Sequence, residues 1–217
     1  MGSTERRERE RIGLKQLILD TARDLFLEHG YDAVTMRRIA DKIEYTPATI
    51  YLHFKDKESL VRELIDADFR KFAEQFAALT QIEDPIKRIE AAAQAYTRFA
   101  LTYPNHYRLM FMSQTFGSDP QDNPDHGIPE RDAYAFLRWT VQQAIESGRF
   151  RPEFCDVDLA SQVIWAGIHG VVSLEITIGG HCWVDWRPIE ERVALMQRIV
   201  LSGMLREELV ESQAAER

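Results

Sequence analysis

The sequence predicts an all-α chain, and three observations lead to that class. Apolar residues recur at three- and four-residue spacing through most of the 217 residues, which is the period of a helix and not that of a strand. The gaps between these runs carry helix punctuation: Gly30, Thr46-Pro47, Asp84-Pro85, Gly148 and Gly179-Gly180. No stretch shows two-residue alternation, internal repetition or low complexity. A hydrophobic content of 45% supplies a substantial core for one or two domains.

The first helix is expected over Ile12–His29, with Leu14, Leu17, Ile18, Ala22, Leu25 and Phe26 on one face. Gly30 closes it at C′ and Tyr31 packs back on it. Ahead of it, Arg6, Arg7, Arg9 and Arg11 alternate with Glu5, Glu8 and Glu10. That stretch reads equally as a minor-groove arm or as a solvated helix start.

Residues 35–57, T-M-R-R-I-A-D-K-I-E-Y-T-P-A-T-I-Y-L-H-F-K-D-K, organise the rest. Thr35 is a natural N-cap for a short helix whose apolar face is Met36, Ile39, Ala40 and Ile43. Glu44-Tyr45 turn the chain. Thr46-Pro47 then restart it as N-cap and first helical residue, where the missing proline N–H costs nothing. Ile50 and Phe54 pin this second short helix inward, leaving Pro47, Ala48, Tyr51 and Leu52 outward. Two short helices across a tight turn form a helix-turn-helix, whose second helix can enter a DNA major groove. The plainer reading is that the outward apolar set packs on a neighbouring domain.

This stretch resembles the DNA-binding domain of TetR-type transcriptional regulators. T-x-R-x-I-A, T-P-A-T-I-Y-x-H-F and K-x-x-L carry the likeness over about residues 12 to 65. One departure is Glu44, where members usually carry glycine; a left-handed backbone there would cost about 1 kcal/mol. The resemblance implies a ligand-responsive dimeric regulator, expected to be a repressor, on an inverted-repeat operator. Arg37 would read a guanine edge. Pro47, Ala48, Tyr51 and Leu52 would touch bases or sugar, with Tyr51 also reaching phosphate. Thr35, Thr46, Thr49, His53 and Lys57 would contact phosphates. Arg38 reads equally as a phosphate contact or a surface ion-pair partner.

Further helices are expected over Lys57–Leu79, from Asp84-Pro85 to Tyr103-Pro104, and over Asn105–Phe116. Another runs over Glu130–Ser147, one from Asp156 or Asp158 to about Ile178, and a last one from near Pro188. Residues 117–129, with three prolines and two glycines, form a loop. The domains are therefore expected as 1–56, a three-helix DNA-binding head with its N-terminal arm, and 57–217, a helical ligand-binding and dimerisation domain. The helix from Lys57 would be the lever between them.

Residues 165–174, W-A-G-I-H-G-V-V-S-L, resemble a C-terminal domain type of TetR-like regulators named for its Trp, His and Gly. The likeness rests on Trp165, His169 and Gly170. In that family the last two helices pair with their copies, which implies a homodimer through roughly 157–178 and 188–206. Gly167 and Gly170 would permit close helix approach there. Tyr96, Phe99, Tyr103, Tyr107 and Phe111 on the middle helices, with Phe136, Trp139, Trp165 and His169 later, are candidate pocket residues; simple core packing is the competing reading. Their chemistry favours an apolar effector, flat or acyl-like.

Net charge is −8. It divides unevenly: residues 1–57 carry +1 and the remainder −9, so positive charge collects in the proposed head. No cofactor is expected. Cys155 and Cys182 lack metal or redox spacing, and His106, His126, His169 and His181 are scattered. The acidic loop with Asp119, Asp122, Asp125 and His126 reads as solvated. No nucleophile motif or phosphate-cradling glycine loop points to an enzyme. No run of eighteen apolar residues suggests a membrane span, and no leader-like segment opens the chain; a cytoplasmic protein is expected. The second functional reading is an all-α small-molecule-binding or interaction protein without operator binding, which Glu44 and the acidic total charge keep open.

Overall fold

The structure, a computed structural model, describes residues 3–112 and 124–206. Within them the order is α1 (Ser3–His29), α2 (Met36–Lys42), α3 (Pro47–Tyr51), α4 (Lys57–Ala77), α5 (Pro85–Thr102), α6 (Pro104–Met112), α7 (Ala133–Glu146), α8 (Val157–Ile178) and α9 (Ile189–Met204). Short 3₁₀ turns cover Ala78–Gln81 and Pro152–Phe154. Among the described residues no strand forms; a single antiparallel bridge joins Phe150 to Leu205.

Local chemistry sets the ends. Asp84 caps α5 by accepting from the N–H groups of Ile86 and Lys87. Asp132 does the same for α7, which therefore starts three residues later than the expected Glu130. Asp156 accepts from Leu159 N–H and opens α8. Gly30 and Gly148 end their helices at φ +78° and +69°. The Tyr31 ring packs on Phe26 at 5.7 Å between centroids. The expected helix over Asn105–Phe116 is described only to Met112, and residues 117–123 of the expected loop also lie outside the described residues.

At the front of the chain one of two open readings is found and one expectation needs correction. The arginine-rich segment is the solvated start of α1, not an arm. Arg6 pairs with Glu10 at 3.0 Å and Arg11 with Glu8 at 2.9 Å, the i,i+4 and i,i+3 geometry of a helix surface. The buried face of α1 also differs: Leu17 is exposed, while Leu19 and Arg23 are buried. Arg23 turns inward because a carboxylate from α4 meets it, a partner that hydrophobic periodicity does not register.

The chain falls into two compact units. The N-terminal unit takes Met1–Phe69 and Asn105–Asn123; the C-terminal unit takes Arg70–Pro104 and Pro124–Arg217. The division thus runs through α4. In the first unit α1 to α3 and the first half of α4 enclose Ile18, Ala22, Phe26, Ile39, Ile50 and Leu60, and Leu109 of α6 joins that core. The second unit packs α5, α7, α8 and α9 around Ile86, Ile89, Val141, Phe150, Ile164 and Leu201. Burial of each such aliphatic or aromatic side chain contributes about 1.5–3 kcal/mol.

Helix α8 is long and apolar enough, by length and composition, to compare with a membrane span. Its apolar residues divide between two faces. Ala160, Ile164, Ile168 and Val172 face the core, whereas Leu159, Val163 and Leu174 are exposed. Gly167 makes room for a neighbouring helix of its own unit: a Cβ there would stand 2.8 Å from Met196 Sδ of α9. Gly170 has open space around its Cβ position.

Candidate nucleic-acid interface and effector site

α2 and α3 are short, so their placement depends on caps and anchors more than on propensity. Thr35 Oγ1 accepts from Arg38 N–H at 3.1 Å, as expected of an N-cap. Thr46 departs from expectation. Its backbone has the extended N-cap geometry and Pro47 is the first helical residue, but its hydroxyl lies 3.0 Å from Thr49 Oγ1 and caps no backbone N–H. Both hydroxyls remain beside the start of α3. Glu44 between the helices has φ +61°, so the turn is built left-handed on a residue with a Cβ.

Ile50 and Phe54 are buried, which fixes the roll of α3. The opposite side presents Tyr51, 54% exposed, and Leu52, 84% exposed. Ala48 is exposed beside them and Pro47 half-buried. An apolar residue as open as Leu52 gains nothing from folding at that position. Arg37 is also extended into solvent, its side chain 83% exposed and 3.9 Å from Asp41. Arg38 donates to the Ala33 carbonyl at the long distance of 3.5 Å.

His53 is half-buried, its ring 6.4 Å from that of Phe54. Burial lowers its pKa first, then the positive charges of Arg11 and Lys15, against a smaller opposing effect of Glu63. Lys57 at the start of α4 is drawn inward: its ammonium donates to the carbonyls of Tyr31 at 2.8 Å and Val34 at 2.9 Å. Asp56 precedes it as a cap, accepting from Ser59 N–H at 2.7 Å while its own N–H donates to Ser59 Oγ. Hydrogen bonding from the Ser59 backbone N–H, and then from its side chain, holds the Asp56 carboxyl below its ordinary value.

The candidate pocket residues do not form one set. Tyr107 and Phe111 belong to the N-terminal unit, where Phe111 meets Tyr107 at 5.0 Å and Phe69 edge-on at 5.7 Å. The others lie in the C-terminal unit, several around Phe72, whose ring is 5.2 Å from Tyr96 and 4.9 Å from Phe99. Phe99 continues to Tyr103, and Phe76 continues through Phe136 to Trp139. Trp139 carries the Arg88 guanidinium 4.1 Å over its ring, a stacking role that periodicity did not indicate. Arg88 also donates to the Ile82 carbonyl at 2.8 Å, binding the turn before α5.

One polar group interrupts the aromatic mass. Tyr96 Oη lies 2.9 Å from His169 Nδ1 and accepts from Trp165 Nε1 at 3.4 Å. Burial lowers the His169 pKa, which favours the neutral ring, and the tautomer sets which of Tyr96 Oη and Nδ1 donates. Trp165, His169 and Tyr96 thus join α8 to α5.

Comparison with known proteins follows this geometry. A family model described as bacterial regulatory proteins, tetR family, matches residues 18–64, and one described as tetracyclin repressor-like, C-terminal domain, matches residues 89–202. The HTH-type transcriptional regulator QacR of Staphylococcus aureus is 25% identical over 205 residues, covering 89% of this chain and 99% of its own. The HTH-type transcriptional repressor KstR2 of Mycobacterium tuberculosis is 31% identical over 157 residues, covering 68% and 74%. Among solved structures, a putative fatty acid metabolism regulator of Clostridium perfringens superposes with a TM-score of 0.68 at 20% identity, covering 88% of this chain and all of the other.

Proposed function

This chain belongs to the TetR family of bacterial regulatory proteins, and from that premise we propose that it is a dimeric repressor of an inverted-repeat operator, released by a small apolar effector. As a family member it is a transcriptional regulator and not an enzyme. Residues 1–56 are the DNA-reading domain and residues 57–217 the effector and dimerisation domain, and the protein works in the cytoplasm. The observation that carries operator reading is the outward face of α3: Tyr51 and Leu52 stand open beside an extended Arg37.

Arg37 takes a guanine edge, while Pro47, Ala48, Tyr51 and Leu52 meet base edges and thymine methyls. Thr35, Thr46, Thr49 and His53 lie on phosphates, and Lys57 adds its charge at the α4 N-terminus. Two heads are supplied by pairing α8 and α9 with their copies. The support is an exposed apolar stripe, Leu159, Val163 and Leu174 on α8 with Leu195 and Ile199 on α9.

The effector is an apolar molecule, flat or acyl-like, held by aromatic side chains around Tyr96, Phe99, Tyr103, Phe136 and Trp139, with Trp165 and His169 as polar anchors. Relatives described as a ketosteroid transcriptional regulator and a fatty acid degradation regulator share the fold, which suits this choice.

The test is selection from a random duplex library at moderate salt, followed by binding of the recovered duplex. An inverted repeat should emerge, and Arg37→Ala or Tyr51→Ala should each weaken its binding about tenfold, the scale of one lost base contact. Unchanged affinity in both variants overturns the reading residues. Recovery of no duplex favours the interaction-protein reading.

A further inference from the structure

Helix α1 is longer than the core it serves. Its first buried residues are Ile18, Leu19 and Ala22, whereas residues 5–13 are exposed throughout. Those residues extend the helix by about 14 Å. No core holds them: even Ile12 is 58% exposed. Arginine and glutamate are good helix formers and pair along the surface, so the extension keeps its shape without packing.

Its faces differ. Counted back from Ala22 and Ile18 at helical spacing, the face that enters the core continues as Lys15, Arg11 and Arg7. Arg6 and Arg9 fall on other faces. Arg6 pairs with Glu10 at 3.0 Å, and Arg9 Nε donates to the Glu5 carbonyl at 3.4 Å. Glu8 borders the core-side stripe and pairs with Arg11 at 2.9 Å. Among the described residues no ion pair engages Arg7.

Lys15 shows where the stripe leads. Its ammonium pairs with Glu63 of α4 and stands 5.6 Å over the Phe54 ring, at the junction of α3 and α4. His53 belongs to the same junction. Burial lowers its pKa first, and the charges of Arg11 and Lys15 lower it further. Arg11 and Lys15 therefore lie along the edge of the head that carries His53. Arg7 stands one turn further out on that edge, about 6 Å along the axis from Arg11.

We propose that Arg7 and Arg11 clamp the phosphate backbone of the DNA just outside the half-site read by α3, lengthening the protein's footprint beyond His53. This rests on the regulator reading above. An ion pair in open water is weak, so a phosphate can take Arg11 from Glu8, and Arg7 gives up no ion-pair partner. The forked N–H donors of a guanidinium match phosphate oxygens. Such contacts carry no base information, so the clamp adds affinity and salt dependence without adding sequence preference.

The test is binding across a range of salt concentrations to the duplex recovered by selection. The duplex is used in a long form and in a form trimmed to its two half-sites. On the long duplex, Arg7→Ala should lower the salt slope by about 0.9 per phosphate released, close to two for a two-headed dimer. Adding Arg11→Ala should lower it further. Arg6→Ala, equal in charge but on another face, should leave the slope unchanged. All three arginines are exposed, so these replacements leave the fold intact. On the trimmed duplex the wild type and the Arg7 variant should bind alike. Equal slopes for the wild type and Arg7→Ala on the long duplex overturn the proposal. So does an Arg6 variant that loses as much as the Arg7 variant, because net charge and not the stripe would then be responsible. A difference that persists undiminished on the trimmed duplex also overturns it, because the contact would then lie within the half-sites. If the wild type binds no duplex, it is the regulator reading that has failed.

Discussion

The ammonium of Lys57 stands 3.8 Å over the ring of Tyr31 and donates to the carbonyl of that same residue at 2.8 Å. A second bond, to the Val34 carbonyl at 2.9 Å, closes the segment between α1 and α2 onto the first turn of α4. The residue proposed as a phosphate contact is thus also a fastener of the head. Charge-assisted hydrogen bonds contribute about 1.5–3 kcal/mol each.

Lys57→Met should therefore lower unfolding stability by about 2 kcal/mol, read as a fall in urea midpoint at unchanged slope. The salt dependence of operator binding should drop by about one counterion or less. An unchanged midpoint with a reduced salt slope would assign Lys57 to phosphate alone.

Glu44→Gly should raise stability by about 1 kcal/mol, because glycine adopts φ +61° without the Cβ clash. Thermal unfolding checks it. A loss of stability would show that the Glu44 side chain contributes more than its backbone strain costs.

His53 predicts a pH effect on operator binding. In the free protein, burial and the charges of Arg11 and Lys15 hold its pKa below the ordinary value. A phosphate beside the ring favours the charged form, so binding takes up a proton and affinity rises as pH falls through the histidine range. Fluorescence anisotropy with labelled operator should show that slope in the wild type and a flatter one in His53→Gln. Equal slopes would remove His53 from the interface.

His169 predicts a stability effect with the sign set by burial. Its folded pKa is depressed, so the unfolded chain binds the proton at higher pH. The stability contribution is complete above the unfolded value of about 6.5 and is lost as pH falls through the folded value. Denaturant titrations from pH 8 to 5 should show less acid loss in His169→Asn. A wild-type slope in that variant would place the acid sensitivity elsewhere.

Ile199, 62% exposed on α9, lies in the stripe proposed to pair two chains. Ile199→Glu with Val163→Asp should give a monomer in sedimentation velocity and reduce binding of a two-half-site operator far more than unfolding stability. A dimer that persists would move the interface off α8 and α9.

Much of the fold was legible because its signals are local. Thr35, Asp84 and Asp156 each cap within three residues, and Gly30 and Gly148 end helices by a conformation that other residues resist. Ile50 and Phe54 identified the inward side of α3, and with it the outward face on which operator reading is proposed. Periodicity failed where polar residues are buried. It counted Leu17 as core and missed Arg23 and Asp68.

The sequence by itself determined the helices, most of their ends, the left-handed strain expected at Glu44 and the family likeness, all of which depend on residues within a turn or two of one another. Tertiary structure decided the partners. Arg23 finds Asp68 across 45 positions, His106 finds Asp68 across 38, and Lys57 finds Tyr31 across 26. It also decided that Gly167 makes room for Met196, that Trp139 lies under Arg88, and that α6 packs in the unit with α1. A buried charge or a close helix crossing is stable only when its complement arrives from elsewhere in the chain, and helical periodicity carries no record of what will arrive.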